Sequence, residues 1–200
     1  RHWGPESASQ FNCLGGIFQA SDNYLWVGSY SGLWRFDGVN FSSVGAYWRQ
    51  ELIGSSLDRF FEDSQKRKWM RFSMLPGIYL YPPDQDTLIH FILGDKKQYI
   101  TGVAERQGQV IVTTRERVYC LKGDQFVETA RFDSAGPKIN RLKVIGQLVC
   151  LLTTQGVYAV TSKGLLKLSR YGHANVEDIC PLKKPNEELL IENHQLYHCK

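Results

Sequence analysis

The hydrophobic positions of the chain recur in a four-part pattern. Each copy opens with an apolar residue, two variable positions and two more mostly apolar ones: Leu14/Ile17/Phe18, Leu57/Phe60/Phe61, Ile100/Val103/Ala104, Ile139/Leu142 and Val176/Ile179/Cys180. The opening residues are 43, 43, 39 and 37 positions apart. In the fourth copy Lys143 interrupts the pattern and Val144 resumes it. A short, mostly apolar segment follows at 25–28, 68–71, 109–112, 148–151 and 188–191. A third segment carries an aromatic residue in every copy: Trp34, Tyr79, Tyr119, Tyr158 and Tyr197. A weaker fourth segment follows a tight turn. Asp37-Gly38 and Lys122-Gly123 are hairpin signals, with Phe41 and Phe126 opening the returning strands.

Successive side chains of a strand point to opposite faces, so Leu25 and Val27 face one way and Trp26 the other. Both faces of such a strand are apolar, and its sheet must be sandwiched between neighbours. Four-stranded antiparallel sheets of about forty residues, stacked face to face around an axis, make a β-propeller. Solenoids, the competing repeat architecture, use shorter repeats or helices, and no segment here sustains a helical period. The expected fold class is all-β, a β-propeller of four-stranded antiparallel blades. The chain reads as a single partial propeller with blades near 11–44, 55–91, 98–129, 138–168 and 175–200, the last without its fourth strand.

Residues 23–38 resemble one blade of the two-component regulator propeller family. That family's repeat runs roughly D-x-x-G-x-L-W-I-G-T-x-x-G-L-x-R-F-D-G and then an aromatic. Asp22, Leu25, Trp26, Gly28, Gly32, Leu33, Arg35, Phe36, Asp37, Gly38 and Phe41 fit it. The second copy retains Glu62-Asp63-Ser64 before Trp69, and then Gly77; copies three to five keep the rhythm and lose the signature. Trp3 and the polar opening are similar to the start of the mature sensor region of such receptors. The resemblance implies the periplasmic sensor propeller of a bacterial two-component signalling receptor. It would bind a ligand or relay a signal to a cytoplasmic output domain such as a histidine kinase. The unfinished last copy and the resemblance together favour a larger, commonly seven-bladed ring. A protein-interaction scaffold and a secreted propeller lyase or hydrolase are the alternatives.

Composition narrows these choices only a little. The chain is 42% hydrophobic, enough for a packed core, yet its apolar runs are far short of the roughly 20 residues that cross a bilayer. No membrane contact is expected from this segment. It starts at Arg1 with no charged-then-apolar leader, so an export signal or membrane anchor is expected outside it. The net charge of +4 is spread along the chain, and its one basic run, Lys66-Arg67-Lys68, falls in a turn. Nucleic acid is therefore not expected as a partner. The five cysteines, Cys13, Cys120, Cys150, Cys180 and Cys199, include no CxxC pair. That argues against structural zinc and against a disulfide framework, although one long-range disulfide stays open.

No catalytic constellation can be assembled from the sequence, so no catalytic residue, cofactor or metal is expected. His194/His198 and Asp84/Asp86 are the nearest approach to metal-ligand spacing. In a propeller, the links between repeats and the second-to-third-strand turns emerge on one rim. The residues expected there are Tyr30, Tyr47, Trp48, Arg49, Arg115, Gln155, Tyr171, His173 and His194. Tyr47, Trp48 and Arg49 lie in the longest link. An aromatic pair beside an Arg suits a sugar or carboxylate, so a small molecule or glycan is the expected ligand. The rest of the receptor chain, and a second copy in a homodimer, are further expected partners.

Overall fold

A computed structural model describes residues 14–44, 52, 54–94, 98–171, 174–182 and 187–199. Among these, the regular structure is five antiparallel sheets. The first is β1 (Leu14–Gln19), β2 (Leu25–Ser29), β3 (Gly32–Phe36) and β4 (Phe41–Ser43). The second is β5 (Leu57–Glu62), β6 (Lys68–Phe72), β7 (Ile78–Tyr81) and β8 (Ile89–Phe91). The third is β9 (Gly102–Arg106), β10 (Gln109–Thr113), β11 (Arg117–Lys122) and β12 (Gln125–Arg131). The fourth is β13 (Ile139–Ile145), β14 (Leu148–Thr153), β15 (Gly156–Thr161) and β16 (Gly164–Leu168). The fifth is β17 (Val176–Pro181), β18 (Glu188–Glu192) and β19 (Gln195–Cys199). Each sheet is a meander with its strands in chain order. Helical geometry among the described residues is confined to a 3-10 turn at Ser169–Tyr171 and to Leu52. The chain divides into two compact units, residues 1–98 with the first two sheets and 99–200 with the other three.

The opening motif of the repeat has a backbone cause. Strands alternate with a period of two, so residues three apart should face opposite ways. The register shifts between Leu57 and Arg59, however, so that Leu57 pairs with Phe72 and Phe60 with Met70. Phe72 and Met70 are two apart and share a face, and Leu57 and Phe60 therefore share it too. The extra residue, Asp58, is a β-bulge. The same shift occurs between Leu14 and Gly16, between Ile139 and Arg141, and between Val176 and Asp178.

Packing within each unit follows the two-faced strands. In β14, Val149 and Leu151 join Ile111, Val118, Ile139 and Leu142 in a cluster between the third and fourth sheets. The alternate residues, Cys150 and Leu152, join Val176, Ile179 and Leu190 between the fourth and fifth. In the first unit Trp26, fully buried, packs with Leu57, Met70, Phe72, Tyr79 and Tyr81 across the seam between sheets one and two. Gly28 permits that approach: a Cβ there would overlap the Leu57 side chain.

Candidate functional site

The first-to-second-strand turns set the rim of this seam. In sheet two, Asp63 is almost fully buried and anchors its turn. One carboxylate oxygen accepts the backbone N–H groups of Gln65 and Arg67, both at 3.0 Å. The other accepts Arg67 Nε at 2.7 Å and Trp69 Nε1 at 2.8 Å. The turn of sheet one has the same backbone bonds, with Ala20 in place of Asp63: Ala20 N–H donates to Tyr24 O as Asp63 N–H does to Arg67 O. The acid of that turn has moved to Asp22, which accepts Tyr24 N–H at 3.1 Å and, weakly, Trp26 Nε1 at 3.4 Å. The family's leading Asp, assigned to Asp22 from the sequence, thus falls structurally on Ala20. In the second copy the equivalent position holds Asp63.

Between these turns lies a cleft of about 250 Å³. It is lined by Ser21, Asp22, Tyr24, Trp26 and Arg35 from sheet one, and by Lys66, Lys68, Tyr81 and Pro83 from sheet two. Lys68 is buried at its base. Its ammonium sits 3.1 Å from Asp22, 3.3 Å from Glu62 and 5.4 Å from the centre of the Trp26 ring. Glu62 also accepts Ser21 N–H at 2.7 Å and Ser21 Oγ at 3.0 Å, which ties the two turns together. Lys68 is therefore already neutralised. Arg35 differs: it pairs across the strand with Trp26, and its guanidinium lies 5.0 Å over the Tyr24 ring. Its Nε is buried and has no hydrogen-bond partner among the described residues. Burial pushes the Tyr81 hydroxyl above its ordinary pKa, and Asp86, which accepts its proton at 3.1 Å, adds to the rise. Tyr81 is thus a neutral donor at physiological pH.

These sheets match solved structures along nearly the whole chain. The extracellular domain described as part of a hybrid two component system of B. thetaiotaomicron aligns over 96% of this chain at 15% identity and a TM-score of 0.55. This chain covers 32% of that protein, about a third of its length. Virginiamycin B lyase of Staphylococcus aureus aligns over 92% of this chain and 69% of its own, at 12% identity and a TM-score of 0.61. A gluconolactonase of Xanthomonas campestris aligns over 92% and 71%, at 13% identity and a TM-score of 0.57. The fold is a β-propeller. No protein-family model matches the sequence, and neither does any curated relative.

The residues nominated from the sequence occupy different places in the propeller. Tyr30 lies at the β2–β3 turn of the first unit, exposed, its carbonyl accepting Gly54 N–H at 2.9 Å. Arg115, Gln155 and His194 hold the equivalent turns of the three sheets of the second unit. Arg115 accepts Ile139 N–H through its carbonyl at 2.6 Å, and Gln155 N–H donates to Thr153 Oγ1 at 3.1 Å. His194 contacts Glu177 through Nδ1 at 2.9 Å, whereas His198 contacts Glu187 at 3.1 Å. Tyr47, Trp48, Arg49 and His173 lie outside the described residues. Tyr171 is not presented on a loop surface: it is buried in the 3-10 turn and donates its hydroxyl to buried Glu188 at 2.8 Å. An apolar ring with one inward acid satisfies itself, and burial pushes that hydroxyl's pKa upward, with Glu188 adding to the effect.

The cleft opens at the sheet end opposite the second-to-third-strand turns. None of its lining residues was nominated from the sequence. The one visible signal was Lys68 heading an apolar strand, but Gln109 and Glu188 head the corresponding strands of later copies. A polar residue there is ordinary for the repeat. Among the described residues no three His, Cys, Asp or Glu side chains group as metal ligands.

Proposed function

We propose that this chain is a ligand-sensing propeller segment from the extracytoplasmic part of a bacterial signalling receptor, and that it binds without catalysing. The repeat over residues 22–41, with its run of family-specific positions, is the observation that carries this reading. The fold likeness to a two-component extracellular domain supports it. The rim cleft supplies a place for a ligand with the usual make-up of such sites, apolar walls and a few directing polar groups. Its chemistry favours binding over turnover. Among the described residues no His lines it, Lys68 is held between two carboxylates, and Tyr81 is kept protonated.

An enzyme is the second reading, because a lyase and a gluconolactonase share the fold. Equilibrium dialysis against a mixture of neutral and acidic saccharides, with mass analysis of both chambers, separates the two. A sensor retains one component and returns it unchanged. A product that accumulates with time would overturn the sensor reading.

A further inference from the structure

Resting on the sensor reading, we propose that the rim cleft between sheets one and two recognises a small carboxylate, with Arg35 as the anion's seat. Cations outnumber carboxylates on the cleft wall: Arg35, Lys66 and Lys68 against Asp22. Lys68 is engaged by Asp22 and Glu62, and Asp86 stands behind the Tyr81 hydroxyl. Among the described residues Arg35 has neither kind of partner. Its guanidinium lies over the Tyr24 ring, 5.0 Å from the centre, and the buried Nε has no acceptor among the described residues. A buried donor left without an acceptor is costly, and a guanidinium fork matches a carboxylate with two parallel hydrogen bonds. A ligand carboxylate seated on the Arg35 Nη groups meets the second condition.

Size and surroundings define the rest of the ligand. A space of about 250 Å³ is near the lower limit for small-molecule sites. It suits a molecule no larger than one sugar ring. Tyr24 and Pro83 offer flat apolar surface, while Ser21 and the Tyr81 hydroxyl offer polar partners for hydroxyl groups. The Arg35 fork favours a planar carboxylate, and an anion that binds as a point charge would choose Lys66 instead.

Isothermal titration with sodium glucuronate, and with glucose and inorganic phosphate as controls, tests this. Glucuronate and glucose differ by the carboxylate alone at the ring substituent, so their comparison isolates the anion. The expected result is saturable binding of glucuronate, with glucose and phosphate weaker by about tenfold or more. Arg35→Met keeps the stem over Tyr24 and removes the charge; it should lose that preference while the melting temperature is unchanged. Arg35→Lys, which keeps charge without the fork, should fall between. Failure of glucuronate to bind, glucose binding equally well, phosphate binding more tightly, or an unaltered preference in Arg35→Met would each overturn the assignment. The sensor reading survives those outcomes if dialysis still retains an unchanged ligand. Conversion of glucuronate to a product would sink the sensor reading itself.

Discussion

The seam between sheets one and two and the seams of residues 99–200 solve one packing problem with different materials. The first is made of rings. Phe18 stacks on Phe60 at 5.4 Å, and Trp26 meets Phe60 at 5.9 Å and Tyr81, edge-on, at 5.3 Å. The others are made largely of aliphatic side chains such as Ile111, Val118, Leu142, Val149, Leu152 and Ile179. Branched aliphatics interdigitate and fill irregular space, while rings are rigid plates whose edges leave gaps. At the rim of the aromatic seam the gap is occupied by charge, namely Lys68, Asp22, Glu62 and Arg35. The cleft follows from that choice of residues.

Breaking each seam should be visible by a different probe. All five tryptophans, Trp3, Trp26, Trp34, Trp48 and Trp69, lie before residue 98, so their fluorescence reports the first unit alone. Trp26→Ala should destabilise that unit by about 3–5 kcal/mol, the range for emptying a buried aromatic site. Leu151→Ala, fully buried in the second unit, should cost about 2–5 kcal/mol and appear in far-ultraviolet circular dichroism while the fluorescence transition stays put. Coincident shifts in both probes for either variant would mean that the two seams melt as one.

The two turns give a sharper contrast. Asp63→Ala removes four accepted bonds from a buried carboxylate and should cost about 2–3 kcal/mol. Asp22→Ala, at the more exposed counterpart, removes a weaker bond from Trp26 and one of two carboxylates from Lys68, and should cost less, about 1–2 kcal/mol. Urea denaturation of the pair checks the order, and equal losses would show that the turn anchors are interchangeable.

Lys68→Met keeps a stem over Trp26 but strands Glu62, so a loss of about 1–2 kcal/mol is expected. Adding Glu62→Gln should recover part of it. A double variant no better than the single would place the cost in the Trp26 contact rather than in the ion pairs.

The aliphatic seam between sheets four and five carries its own clamp, and the smallest effect is expected there. Burial pushes the Asp178 carboxyl upward, but Lys143 and Arg141 beside it and the Ile179 N–H overcome this and hold its pKa below the usual carboxylate value. A depressed folded-state value means the contribution is present above about pH 4 and is lost as pH falls through that lower value. Melting temperatures from neutral to strongly acidic pH should show a flatter acid limb for Asp178→Asn. Identical limbs would remove Asp178 from the acid response.

The propeller was legible because its periodicity survives in every copy. The i, i+3 spacing of Leu57 and Phe60 is the imprint of a bulge, as it is in the first, fourth and fifth copies, and it marked those first strands without being recognised as one. The cleft was not legible, since it depends on which side chains from different copies meet. Arg35 belongs to the repeat signature and Lys68 heads a strand where polar residues are common. Only the facing of sheets one and two brings them together. Tyr171 was misplaced for a related reason: a ring that follows a strand looks exposed until its acid partner, seventeen residues on in sequence, is brought against it.

The bulges also bear on how such repeats diverge. The inserted residue stands outside the two-residue alternation of its strand, so its identity can vary wherever the neighbouring sheet leaves room. It is Gly15 in the first copy, Asp58 in the second, Asn140 in the fourth and Glu177 in the fifth. Each polar one has found a local task. Asp58 pairs with Arg71, Asn140 donates to Asn175 Oδ1 at 2.7 Å, and Glu177 receives the His194 N–H at 3.2 Å. Four of the five sheets thus carry a position outside the alternation; in three of them it has taken up polar chemistry while the hydrophobic frame holds still, and in the first the closeness of Ser56 leaves room for glycine alone.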